Sequence, residues 1–440
     1  MAIHPRMPKG LAHKIRLLPS LGVIAAALAV ATGTLRIAGW AFQAPAPGRP
    51  SLTPRGIGRP AAAPAPLAQG APAWGAPAAV GKVDGDSEQS AAPASLIFAA
   101  TALAAAAAAV EKVPEDSAEK TSGGIKATFD KVKLPIFVGL WYFFNVQYNI
   151  QNKMLLKCFS ATWAVSWLQL AAGIPIAMLM WLTGFVKTPS VTTSDVMKLA
   201  PVGAAFALGQ VATVASLGAV AVSFTHVVKA LEPAVNAIAS ALVLGQVFHP
   251  MVYASLAPVF LGVALASSSE LSFTMFGFLT AMASNFAFVT RNVLATKFGS
   301  VGDMGEDKTE RKTNQLAVLT AVAAAVLLPV ALFLPGGLLS IPSAWAAAVK
   351  SGVPAGKLAY MMAASGFHFF MYQLSSFWVL SCVPPITHSV LNTLKRVVII
   401  VVSIFVFRTP VTTQSAIGTA TAIGGVLLYS LTKAHYAKKK

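Results

Sequence analysis

Thr387-His-Ser-Val-Leu-Asn-Thr-Leu-Lys-Arg-Val-Val-Ile-Ile-Val-Val-Ser-Ile-Phe-Val-Phe407 decides the fold. From Val397 to Phe407 every residue but Ser403 is apolar, and the stretch holds no acid. A run of about 20 such residues is what a helix needs to cross the hydrocarbon of a bilayer. Yet Lys395 and Arg396 stand side by side in its interior. An ionisable group there costs roughly 2.5–3.5 kcal/mol on insertion scales, so each asks for a reason. Neighbouring side chains point about 100° apart on a helix, so one carboxylate does not easily neutralise both. No acid lies near them in sequence. The economical partner is an anion from outside the chain. Phosphate suits it, because it accepts a bidentate fork from arginine and takes a point charge from lysine.

Outward from this stretch the pattern repeats. Apolar segments follow one another with short polar breaks near 135–156, 160–184, 197–219, 222–246, 250–268, 272–296, 315–337, 356–380, 383–406 and 411–432. They predict an all-α membrane protein of about ten transmembrane helices. Composition agrees: only 11% of the 440 residues are charged and mean hydropathy is +0.68, against about 25% charged in soluble domains. The net charge of +18 fits positive loops and anionic lipid, or an anionic substrate. Its lysines and arginines are dispersed through apolar sequence, so a nucleic-acid partner is not expected. Residues 297–314 form the longest polar break and read as a solvated loop.

The core also carries weak internal symmetry. Thr225-His226 and Thr387-His388 each open a helix, and Gly262 and Gly424 follow at the same offset. This fits two inverted five-helix halves, with the binding site between equivalent helices at the midplane. Those helices carry Lys229 on one side and Lys395 and Arg396 on the other. The alternative for Lys229 is a pair with Glu232 on one helix face. Arg291, late in the sixth span, either joins the site or snorkels to an interface. Gln210, Thr213 and Tyr372 are polar groups available to complete the site, or to bond between helices. His226 and His388 are better placed to position their helices than to bind substrate.

Residues 1–41 read as a signal-peptide-like segment, with Arg6, Lys9, Lys14 and Arg16 ahead of an apolar run. Residues 42–132 read as a transit-peptide-like leader, rich in Pro and Ala with a second apolar stretch near 94–110. The arrangement resembles the bipartite presequence of complex, multi-membrane plastids. The ten-helix transporter core is then 133–440. The two cysteines, Cys158 and Cys382, make no disulfide framework or zinc spacing. No metal-ligand cluster, paired intramembrane carboxylates or nucleophile–base arrangement is present in the sequence, so no metal, cofactor or enzymatic reaction is expected.

Val222-Ser-Phe-Thr-His-Val-Val-Lys-Ala-Leu-Glu-Pro233, Ser284-Asn-Phe-Ala-Phe-Val-Thr-Arg291, Thr387-His-Ser-Val-Leu-Asn-Thr-Leu-Lys-Arg-Val397 and Trp141-Tyr-Phe-Phe-Asn145 with Asn149 resemble the plastidic phosphate translocators, over about residues 134–434. The triose-phosphate/phosphate type is the nearest. The resemblance implies ten helices in two inverted halves within the drug/metabolite transporter group. It also implies antiport of inorganic phosphate against a phosphorylated C3, C5 or C6 compound across a plastid envelope membrane. It assigns phosphate binding to Lys229, Lys395 and Arg396 and supporting contacts to Thr213 and Tyr372, and the family's Arg291 motif is intact. Two positions depart from it: Gln210 stands where the family usually has His, and Leu391 where it favours Gly. His388 is shared with triose- and hexose-phosphate members, whereas phosphoenolpyruvate members often carry Phe. The expectation is exchange of phosphate for triose phosphate or 3-phosphoglycerate. The alternatives are a nucleotide-sugar carrier and another sugar-phosphate or phosphoenolpyruvate carrier of the same superfamily. Oligomeric state is not legible.

Overall fold

The computed structural model of the protein describes residues 125–298 and 301–437, and among these it is almost entirely helical. The signal-like segment 1–41 and the leader as far as residue 124 lie outside the described residues.

Beside a buried apolar core the protein exposes large apolar side chains and buries polar ones. Leu179, Leu208, Leu242, Leu261, Phe276, Phe286, Phe333 and Phe405 are exposed, while Asn145, Asn152, Gln169, Gln210, Ser284, Asn285 and Ser365 are buried. Apolar atoms outside and polar groups inside is the arrangement lipid demands.

Its helices follow in chain order. They are α1 (Ile125–Cys158), α2 (Thr162–Ala171), α3 (Gly173–Leu182), α4 (Thr193–Ala219), α5 (Val222–Val228), α6 (Glu232–Leu244), α7 (Pro250–Ala254) and α8 (Ala257–Ser268). After them come α9 (Met275–Phe298), α10 (Lys308–Phe333), α11 (Ile341–Lys350), α12 (Ala355–Cys382), α13 (Pro385–Phe407) and α14 (Thr413–Ala437). Among the described residues, seven continuous or nearly continuous rods are long and apolar enough to cross a membrane: 162–182, 193–219, 222–244, 250–268, 308–333, 387–407 and 413–437. α1, α9 and α12 are as long, at 34, 24 and 28 residues. Their polar side chains face inward and lower their hydropathy: Asn145, Asn149 and Asn152 on α1, Ser284 and Asn285 on α9, Ser365 and His368 on α12.

Prolines set the interruptions. Pro175 lacks the N–H that Ala171 would receive, and α2 passes into α3 at Ala172. Terminal caps are local. Thr192 and Asp195 form a capping box on α4, and the Asp307 carboxylate accepts from Thr309 at the start of α10.

Two contacts depart from the sequence expectation. The break at 297–314 is not simply solvated. Met304 is buried, Ser190 and Asp303 exchange backbone bonds of 2.9 and 3.0 Å, and the Asn314 amide donates to the carbonyls of Lys187 and Met304. The loops before α4 and α10 are thereby tied together at one end of the bundle. The glycine match of the internal repeat also does not carry one packing role. A Cβ on Gly262 would lie 2.2 Å from the Ala422 backbone nitrogen, so α8 and α14 touch through their backbones there. Gly424 faces open space, and Gly418 and Gly425 make the close approaches on α14 instead.

Candidate functional site

The site is built on a helix that cannot continue. Pro233 has no N–H to give the Lys229 carbonyl, so the chain tightens into a 3-10 turn at Lys229–Leu231 between α5 and α6. The Glu232 N–H turns to the Lys229 carbonyl, three positions back instead of four. The carbonyls of the turn also take donors from other helices. Asn285 Nδ2 of α9 donates to Val228 at 3.0 Å, and the Arg396 guanidinium of α13 donates to Lys229. Each such bond contributes about 0.5–1.5 kcal/mol, more from a charged donor, so these two side chains help to hold the break in place.

The break aims Lys229 inward. Its ammonium donates to Thr213 of α4 at 3.1 Å and to Ser284 of α9 at 2.8 Å, and lies 4.7 Å from the centre of the Phe288 ring. Arg291 lies one turn beyond Phe288, its guanidinium 5.2 Å from that ring and 5.1 Å from Phe206. It also donates to the Asn292 side chain. Lys395 sits 4.8 Å from the Trp141 ring and 6.0 Å from Tyr372. Aromatic faces hold a cation at low dielectric without neutralising it, each contact contributing about 0.5–2 kcal/mol. The rings thus keep these charges available.

Arg396 corrects the sequence reading. No acid lies near it in the chain, but Glu232, 164 positions away, accepts from its other terminal nitrogen at 2.5 Å. The internal partner of Arg396 is therefore a carboxylate across the bundle, and Glu232 pairs with Arg396 rather than with Lys229 on its own helix face. Lys395 has no carboxylate among the described residues. Four cations, Lys229, Arg291, Lys395 and Arg396, share one neighbourhood of connected rings and helix ends with one acid.

Gln210 lies one layer back. It is 1% exposed. Its amide donates to the Tyr148 hydroxyl at 2.9 Å and to Gln169 at 2.6 Å, and Gln169 in turn donates to Asn152 and Ser365. This network joins α1, α2, α4 and α12, and reaches Tyr372 only through the ring of Tyr148, 5.2 Å away. His226 bonds Asn149 at 2.9 Å, and His388 bonds Ser376 at 3.1 Å while stacking on Trp141 at 4.8 Å. Both histidines join helices side to side. Leu391 is buried, and its carbonyl accepts the Tyr142 hydroxyl at 2.6 Å.

Sequence reasoning missed Ser284, Phe288, Trp141 and the part played by Glu232. Ser284, Phe288 and Arg291 recur at i, i+4 and i+7 on α9, a periodicity that marks one face. Trp141 carries a further feature: its buried indole N–H has no partner among the described residues.

A phosphoenolpyruvate/phosphate translocator of Oryza sativa is 40% identical over 74% of this chain and 81% of its own. A triose phosphate/phosphate translocator of Brassica oleracea is 39% identical over 74% and 77%. A glucose-6-phosphate/phosphate translocator of Arabidopsis thaliana is 38% identical over 69% and 76%. All three are chloroplastic by name. A solved chain titled only as a crystal structure of a protein overlays with TM-score 0.34 and 17% identity over 67% of this chain and 98% of that one, too loose a likeness to bear on the fold. Residues 132–430 match the Triose-phosphate Transporter family. With its membrane helices and these plastid relatives, the chain belongs to that family of multi-pass plastid membrane transporters.

Proposed function

We propose that the protein exchanges inorganic phosphate for phosphorylated C3 compounds, triose phosphate and 3-phosphoglycerate, across a plastid envelope membrane by alternating access. One observation carries the reading: four cations converge around a single carboxylate, so the site is short of anion. Lys229, Lys395 and Arg396 hold the phosphoryl oxygens in this reading, with Thr213 beside Lys229 and Tyr372 beside Lys395. Arg291 stands at the same Phe288 ring as Lys229, and a second anionic group such as a carboxylate would meet it there. Gln210 acts at a distance, by orienting Tyr148 against Tyr372. Ten crossings in two inverted halves are part of the proposal, as is a leader ending near residue 132. Helices of spanning length in α1, α9 and α12 beside the seven apolar rods support the count.

The mechanism follows from charge. At low dielectric the unloaded cations repel one another, and closing both gates over them is costly. A bound dianion offsets them and lets the carrier cross, which couples export of one anion to import of another. The relatives differ in the phosphorylated compound that they are named for while their identities span only 38–40%, so preference within the class rests on the site. His388, held between Ser376 and Trp141, favours the triose-phosphate side through its resemblance to those members.

Counter-exchange in proteoliposomes tests it. Vesicles preloaded with phosphate should take up triose phosphate and 3-phosphoglycerate, with less uptake of phosphoenolpyruvate, glucose 6-phosphate and a nucleotide sugar. Uptake should vanish in the Lys395→Ala, Arg396→Ala variant. Uptake that does not need internal phosphate, or that is confined to nucleotide sugars, would overturn the reading.

A further inference from the structure

Glu232 is an unusual acid for its position. A carboxylate kept in a protein interior for structural reasons has most of its lone pairs occupied. Glu232 accepts a hydrogen bond from Arg396 alone among the described residues, through one oxygen, and its side chain keeps 23% of its exposure where that of Arg396 keeps 8%. Arg396 is held by a second tie, to the Lys229 carbonyl, so its orientation does not depend on the acid. Among the described residues, the other charged groups around the pair are cationic: Lys229 three positions before Glu232, Lys395 beside Arg396, and Arg291 at the Phe288 ring.

We infer that Glu232 is an internal competitor for the transported anion: it occupies the face of Arg396 that phosphate takes, and so sets the affinity and release rate of the carrier. The inference rests on the phosphate reading above and adds a residue that this reading does not use. An anion entering the site meets an arginine whose outward N–H is already engaged. It must displace the carboxylate, and its apparent affinity falls by the fraction of time the pair is open. The same competition works in reverse. After the anion has crossed, Glu232 reclaims Arg396 and speeds departure. A site of four cations with no internal acid would bind a dianion tightly and release it slowly. Tight binding of the bound state does not make a faster carrier, for the reason that uniform binding does not make a faster enzyme.

A structural tie predicts something else. If Glu232 served to position Arg396, removing it would loosen the guanidinium and weaken phosphate binding. The two readings differ in the sign of one measurable quantity.

The experiment is phosphate–phosphate exchange in proteoliposomes, with labelled phosphate outside and unlabelled phosphate inside, for the wild type, Glu232→Gln and Glu232→Asp. For Glu232→Gln the KM for phosphate should fall about tenfold, the value for a pair closed nine-tenths of the time, and the maximal rate should fall with it. Glu232→Asp keeps the charge but shortens the reach by one methylene, and should show the same KM shift reduced to roughly two- to fivefold. An unchanged or raised KM in Glu232→Gln overturns the inference. If that variant does not reconstitute, the Asp variant decides by the same sign. Failure of the wild type to exchange phosphate would overturn the functional reading and this inference together. A wild type that exchanges, with no fall in KM in the variants, would sink this inference alone.

Discussion

Replacing Arg396 by lysine keeps the charge and removes the fork. The guanidinium has five N–H donors in a fixed plane, and the ammonium has three on a rotating head. In the loaded site the anion takes the place of Glu232, and Arg396 keeps one N–H on the Lys229 carbonyl. Its planar fork can then offer phosphate two parallel N–H groups. The rotating ammonium of lysine has no such pair, so the bidentate contact becomes single. One charge-assisted hydrogen bond of about 1.5–3 kcal/mol is lost, equivalent to roughly ten- to hundredfold in rate constant over KM. The assay is initial-rate phosphate exchange in proteoliposomes at matched protein content. Arg396→Lys should fall into that range, mostly through KM, since the missing contact is to the bound anion. Lys395→Arg is the control. Lys395 touches rings and no carboxylate, so a guanidinium in its place finds the same Trp141 and Tyr372 faces and should cost less than Arg396→Lys. If Arg396→Lys stays within about threefold of wild type, a range smaller than one such bond, the fork carries no weight and the donor count is wrong.

Three further outcomes follow from the geometry. Asn285→Ala removes the 3.0 Å side-chain bond to the Val228 carbonyl, and should lower stability by about 0.5–1.5 kcal/mol. Thermal unfolding in detergent reads this, and an unchanged Tm would mean that Pro233 alone holds the break. Gly262→Val drives a side chain into the Ala422 backbone, whereas Gly424→Val enters open space. The first should lose monodisperse protein on size exclusion and the second should not, and equal behaviour would refute the backbone contact of α8 with α14. Gln210→His trades an amide that donates twice for a ring that donates once when neutral. It should leave the KM for phosphate within about twofold while changing the ratio of 3-phosphoglycerate to phosphoenolpyruvate uptake, because it reaches the site only through Tyr148 and Tyr372. A large change in phosphate KM would put Gln210 in direct contact with the anion.

How far the sequence reaches depends on how far apart the interacting residues lie. Helices were legible because a bilayer imposes a length and a hydropathy on each segment separately. The expected rods near 160–184, 197–219, 222–246, 250–268 and 411–432 overlap helices 162–182, 193–219, 222–244, 250–268 and 413–437 within a few residues. The 3-10 turn was written in one residue, Pro233, though its effect on Lys229 needs the carbonyl four positions earlier to be followed. The pairing of Arg396 was not legible. Sequence reasoning looks for an acid within a turn, and Glu232 is 164 positions away. The same holds for Gln210, whose neighbours Tyr148, Gln169, Asn152 and Ser365 come from three other helices.

The error about Arg396 was one of assignment and not of sum. Whether an internal acid faces Lys229, as the helix-face rule suggests, or Arg396, as the fold arranges, is a tertiary fact. The shortage of acids is a property of the composition of the spans, because apart from Glu232 the apolar segments hold no acid that folding could bring to the cluster. Moving Glu232 from one cation to another leaves the cluster with three formal positive charges in excess. Rings that stabilise cations without neutralising them, Phe206, Phe288, Trp141 and Tyr372, preserve that excess rather than remove it. The anion requirement therefore survives the correction that removed its original argument. It also gains a constraint: the ligand must be worth more to Arg396 than Glu232 is, yet not so much more that the carrier fails to let it go.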